Sequence, residues 1–374
     1  MNKIVSLISA LLFCSAAFIS CHRANDINSA KEEKKINLKD FDSSNWISSF
    51  DAGKLFSAKK NKKIILFFSD DKDESSAKMK KDFIERDDFV KSLVNDFVLV
   101  NVSFSEDRFS EAEKAETIIY DTPDAPEAEK AKSVAFVNAL LDDINLARIY
   151  NVARTPAFYI VSESGLVVDV LPVNTETDES KFVELIESSK TKIASFDADM
   201  EAIKKSKGLD KVNAIDEFFE KTPVDYRYFL SDLCRLLVDT DKKNESGLVG
   251  KHLVVIANNK AVDYFLDQDA NAASDEFISV AENPLLMADE RQQAYYTAGY
   301  LLAQSGSIQY GKIKDCFQKA YDASPSSEYA PKILEMVQLA SDREAEFEKM
   351  MKEQMVEPPS NPEQPAQQAP EKKE

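Results

Sequence analysis

Ile64-Ile65-Leu66-Phe67-Phe68, followed further along by Phe97-Val98-Leu99-Val100-Asn101-Val102, decides how this chain folds. The first is a continuous apolar run of strand length and β-rich composition, and the second reads as another buried strand. A run without polar alternation is what a strand covered on both faces requires. Between the two runs, Met79, Phe83, Val90 and Val94 fall near one face of an expected helix. Upstream, Ser43, Ser44 and Asn45 offer an N-cap to a helix carrying Trp46, Phe50, Leu55 and Phe56, which the lysines from Lys59 to Lys63 end. Downstream, Phe136, Leu140, Leu141, Ile144 and Ile149 mark a further helix. Ala157 to Val161 and Leu166 to Leu171 read as a hairpin around Ser164-Gly165, and Phe182, Leu185, Ile186 and Ile193 line the helix after it. The order helix, β, α, β, α, β, β, α describes an α/β sandwich, a parallel pair joined by helices and closed by an antiparallel hairpin.

That order resembles the thioredoxin-like superfamily. The resemblance rests on Trp46, the Asn61-Lys62-Lys63 lead-in, the Ile64 to Phe68 strand, and Tyr150-Asn151-Val152-Ala153-Arg154-Thr155-Pro156 before a strand. It implies an α/β domain over 41–196, with Thr155 and Pro156 in the place of the family's cis-proline loop. It also implies a Cys-x-x-Cys at the start of the helix after the first core strand, where the helix dipole favours a thiolate. The tetrapeptide at that place is Asp73-Glu74-Ser75-Ser76, so Asp73 and Ser76 stand where the family has its sulfurs. No cysteine occurs between Cys21 and Cys234. A serine alcohol cannot form a disulfide, and the domain is expected to be redox-inactive.

Residues 105–133 form a charged insertion, expected as two short helical pieces around a turn that holds Pro123 and Pro126. It is either a solvated elaboration or a partner-binding arm. From 197 to 355 the strand signal is gone and amphipathic helices succeed one another, with stripes such as Leu230, Leu233, Cys234, Leu237 and Ile313, Cys316, Phe317, Ala320. Tyr295 to Pro325 resembles a tetratricopeptide repeat through Ala298-Gly299, Gly306, Phe317, Ala320 and Pro325. Ile313 stands where that repeat has a small residue, which counts against close helix packing there. Weaker echoes lie at Ala214, Phe218, Pro223 and at Ala273, Phe277, Pro284, so the region reads as degenerate repeats or as an irregular bundle. Residues 356–374, rich in Pro, Gln and Lys, are expected to be disordered.

The first residues have another character. Lys3 precedes a nearly charge-free run from Ile4 to Ile19, at about 16 residues too short for a stable membrane span, which needs roughly 20. Residues 1–20 read as a signal peptide. Phe18-Ile19-Ser20-Cys21 resembles a relaxed bacterial lipobox, which implies lipidation of Cys21 and a polar tether over 21–40. Cleavage after a small residue such as Ala17 is the alternative, and it leaves an unlipidated exported protein. His22, where some sorting systems read an Asp for inner-membrane retention, tilts the expectation to the outer membrane, with the protein facing the periplasm.

The chain of 374 residues carries 66 Asp+Glu against 47 Lys+Arg, a formal charge of -19 that argues against nucleic acid as a partner. Its histidines are His22 and His252, and so no His-Asp-nucleophile set and no zinc ligand set is expected. Asp70, Asp71, Asp73 and Glu74 could hold a hard cation but lack calcium-loop spacing, and neither metal nor cofactor is expected. Cys234 and Cys316 read as buried small hydrophobes or as a disulfide pair. The expectation that results is a non-enzymatic, lipid-anchored envelope protein that binds other proteins or peptides. The alternative is an exported thiol-disulfide oxidoreductase, or a protein assisting one, that works through Cys234 or Cys316.

Overall fold

The computed structural model describes residues 36–356, Asp267 excepted. The expected signal peptide, the lipidation site Cys21 with the tether up to residue 35, and the tail from residue 357 lie outside the described residues.

The first apolar run is β1 (Lys63–Asp70) and the second is β2 (Phe97–Phe104), paired in parallel with Leu66 opposite Val100. On the other side of β1 runs β3 (Ala157–Val161), antiparallel to it and hydrogen-bonded in turn to antiparallel β4 (Val167–Leu171). The order across the sheet is β2-β1-β3-β4. Because side chains alternate along a strand, the two runs feed two cores. Ile65, Phe67, Leu99, Phe158 and Ile160 point to one face, where they meet Met79, Phe83, Phe89, Phe182 and Ile186. Ile64, Leu66, Phe68, Val98 and Val100 point to the other and meet Phe50, Phe56 and Tyr150. Full burial of each such side chain is worth about 1.5–3 kcal/mol, which explains why no polar residue interrupts either face of β1 between Ile64 and Phe68.

Helix α1 (Phe50–Lys60) begins later than its sequence suggests, with Ser49 as N-cap accepting from Ala52 N. Trp46 and Ile47, whose spacing to Phe50 imitates a helical stripe, stay outside it. Ile47 donates to Leu99 O and accepts from Asn101 N, both at 2.9 Å, and so satisfies backbone groups on the outer edge of β2. An open edge needs partners, and this one outweighs an additional helical turn. The expected single helix after β1 is also broken. It consists of α2 (Glu74–Met79), a π-helical turn over Lys80–Ile84, and α3 (Asp87–Leu93). The indole Nε1 of Trp46 donates to Ile84 O at 2.9 Å, taking up a carbonyl that the π turn frees.

The charged insertion forms α4 (Glu106–Tyr120), and its expected second piece does not stand apart. It is the first two turns of α5 (Glu127–Ile149), one continuous helix of 23 residues. Arg108 on α4 ties the two together, reaching Asp143 at 2.5 Å and Ser103 O at 3.0 Å.

Helix α6 (Glu179–Lys205) runs straight through the boundary expected at 196/197. Its Phe182 and Ile186 lie on the sheet, while Phe196 packs edge-on against Phe218 of α7 (Gly208–Lys221). One helix thus serves both the sheet and the first helices beyond it. The chain divides instead after Gln268, into a unit that includes the sheet and a second unit from Asp269. The first unit also holds a 3-10 segment (Val224–Leu230), α8 (Ser231–Thr240) and α9 (Val249–Leu266). The second is α10 (Ala270–Ala281), α11 (Ala288–Gln304), α12 (Tyr310–Ala323) and α13 (Ala330–Val356), each packed on the next. Gly299 on α11 permits a close approach to α12. A Cβ there would lie 3.1 Å from Cys316 Cβ and 3.3 Å from Ile313 O, so Ile313 does not hold the helices apart. Among the described residues no helix is long and apolar enough to cross a membrane.

Candidate functional site

The end of β1 carries the first candidate site. Phe68 pairs with Ala157, so the loop leaving β1 and the Thr155-Pro156 peptide, which is cis, lie at the same end of the sheet. Asp73 is the N-cap of α2 and its Oδ2 accepts from both Ser76 N and Ser76 Oγ, each at 2.8 Å. Ser76 is completely buried, with its Oγ 3.5 Å from Asp70 N. The pair is a closed N-cap: the carboxylate takes an otherwise unpaired helix N–H, and the hydroxyl proton is spent on that same carboxylate. A buried alcohol so engaged has no thiol to exchange and no imidazole to activate it. The acidic residues around it are also occupied. Asp71 pairs with Lys80 at 2.7 Å, and Asp70 accepts from Lys72 N at 2.9 Å. Lys72 reaches Glu106 on the first turn of α4 at 3.1 Å, which brings the insertion beside this loop. Among the described residues no three His, Cys, Asp or Glu side chains converge as a metal site.

The second candidate is one that sequence reasoning missed. The expectation that no nucleophile, histidine and carboxylate come together is overturned at Cys234, His252 and Asp216, which three different helices supply. Cys234 Sγ on α8 lies 3.2 Å from His252 Nδ1 on α9, and His252 Nε2 lies 2.8 Å from Asp216 Oδ1 on α7. Burial alone would raise the Asp216 pKa, but hydrogen bonds from Lys251 and His252, with the Lys251 charge, outweigh it and hold the carboxyl below the usual range. An ionised Asp216 fixes the tautomer: Nε2 carries the proton and donates to it, leaving Nδ1 to accept the thiol S–H. Burial lowers the His252 pKa, only partly offset by Asp216, and pushes the Cys234 thiol up to about 12. Both side chains are fully buried. The order of groups is that of an activated cysteine, but burial holds the thiol in its protonated form, and a cysteine shut in apolar surroundings is less nucleophilic than an exposed one. Nothing in the spacing of residues 216, 234 and 252 announces this contact. The available signal is a histidine set among the apolar residues of α9, Val249 and Leu253 to Ile256.

Cys234 and Cys316 are both free thiols. Cys316 packs against Gly299 on α11, and burial pushes it up to about 11. It is the buried small hydrophobe expected, whereas Cys234 has a polar partner besides.

Comparison with known proteins agrees with this architecture. A family model described as a thioredoxin-like domain matches residues 54–188, from within α1 to α6. A second, described as an uncharacterised protein C-terminal domain, matches 248–345, from the start of α9 into α13. An uncharacterized protein of Treponema pallidum (strain Nichols) is 27% identical over 154 residues, which is 41% of this chain and 50% of the relative, so the match spans half of that protein's length. A solved structure, a DsbH oxidoreductase, aligns with 43% of this chain and 94% of its own at 16% identity and a TM-score of 0.27. The chain therefore carries a thioredoxin-like α/β domain towards its N-terminus, followed by an all-helical region of many helices.

Proposed function

We propose that this protein is a non-catalytic, lipid-anchored envelope protein that acts by binding other proteins or peptides, its thioredoxin-like domain contributing shape rather than electron transfer. The observation that carries this reading is the Asp73–Ser76 cap. Where a dithiol would stand there is a closed hydrogen-bonded pair, and neither described thiol is exposed. Successively packed helices such as α10 to α13 are a common scaffold for partner binding, and degenerate tetratricopeptide-like repeats remain our reading of them. Two or more acyl chains at Cys21 would hold the chain on a membrane facing the periplasm, since one alone gives only marginal binding. Cross-linking followed by affinity capture of the full chain from membranes tests the reading. A defined partner should be recovered, and the chain with Cys21→Ser should leave the membrane fraction. Recovery of no partner, or membrane retention without Cys21, contradicts it.

A further inference from the structure

The Asp216–His252–Cys234 relay is joined to a longer run of contacts along α9. Residues 252, 259 and 263 recur on one side of a helix of 3.6 residues per turn. His252 faces α7 and α8. One level along, Asn259 Nδ2 donates to Tyr228 O at 2.8 Å and to Ser231 Oγ at 2.6 Å. Further on, Asp263 Oδ1 accepts from Tyr228 OH at 2.6 Å. Tyr228 belongs to the Val224–Leu230 segment, whose neighbouring aromatics sit on the sheet's second core. Phe229 lies 4.5 Å from Tyr150 and Tyr226 lies 6.3 Å from Tyr159, centroid to centroid. Helix α9 therefore holds the segment that covers Tyr150 and Tyr159, and the His252 contacts hold α9.

The charges around His252 are already balanced without it. Helix α7 presents Asp216 and Glu220, and Phe219 lies edge-on to the ring. Lys251 on α9 pairs with both carboxylates, and Arg227 from the covering segment pairs with Glu220. Helix α8 contributes the neutral thiol, with Arg235 acting on it from a distance. A proton added to the ring would be a surplus positive charge in a buried place, and its Nδ1–H would meet only sulfur, a weak acceptor.

We propose that this relay is a proton-sensitive clasp: with His252 neutral it fixes α9 to α7 and α8 and keeps Val224–Leu230 on the sheet, and protonation of His252 releases that segment. The closed form resists the proton while the opened form takes it up in the ordinary histidine range, near 6.5. The clasp is therefore complete above that pH and weakens as pH falls below it.

The full chain has two histidines, so its imidazole signals can be followed individually by NMR. His252 should titrate below the ordinary histidine value. Hydrogen exchange in Val224–Leu230, corrected for intrinsic pH dependence, should rise below about pH 6.5 by up to roughly tenfold per pH unit, the limit for one proton. His252→Gln should abolish that pH response. An imidazole titrating at or above the ordinary value, or an unchanged pH response in H252Q, overturns the proposal. The titration is read on the unsubstituted chain and stands even if the variant does not fold.

Discussion

At the residue scale the positions that matter most are small or capped. Gly53 on α1 is set so close to β2 that a Cβ would come 2.3 Å from Val100 Cγ2. Two effects oppose each other in Gly53→Ala. The alanine gains up to about 1 kcal/mol of helix propensity, whereas forcing a methyl against a buried β-branched side chain costs about 1–3 kcal/mol. Packing should win, with a lowered urea midpoint at unchanged slope; a stabilised variant would mean that α1 can slide away from the sheet. Asp73 makes the second residue-scale prediction. As a cap it should be replaceable by Asn with little change, whereas Asp73→Ala should cost about 1 kcal/mol through the unpaired Ser76 N. Equal loss in both variants, read by thermal or chemical denaturation, would mean that the negative charge itself is needed.

At the element scale, what the sequence discloses and what it hides separate by the range of the interaction. The Ile64 to Phe68 and Phe97 to Val102 runs disclose their strands because burial on both faces writes itself into consecutive residues, Asn101 excepted. The hairpin is legible from Ser164-Gly165, since a turn is local, and Gly165 adopts φ +85 there. Trp46 misleads because its partner, Ile84 O, is 38 residues away, and the same contact belongs to the π turn that breaks the helix after β1. The boundary at 196/197 fails for a related reason. Composition changes there, but Phe196 and Ile203 continue the buried stripe that Phe182 and Ile186 begin. The Asp73 and Ser76 positions come from alignment of residue types, while the Cys234–His252–Asp216 contact depends on how three helices meet, which no single stripe encodes.

At the scale of the whole molecule, the unit through Gln268 joins a thioredoxin-like sheet, in a stretch with no cysteine between Cys21 and Cys234, to helices that carry a buried thiol. The helices from α10 onward form a second unit with their own buried thiol, Cys316. The formal charge of the full chain is -19. The central claim is that none of this sulfur passes electrons. The direct measurement is insulin reduction by the full chain in the presence of dithiothreitol, beside the Cys234→Ala and Cys316→Ala variants. The expected rate equals the dithiothreitol background for all three. Turnover above background that disappears with either substitution would contradict the claim.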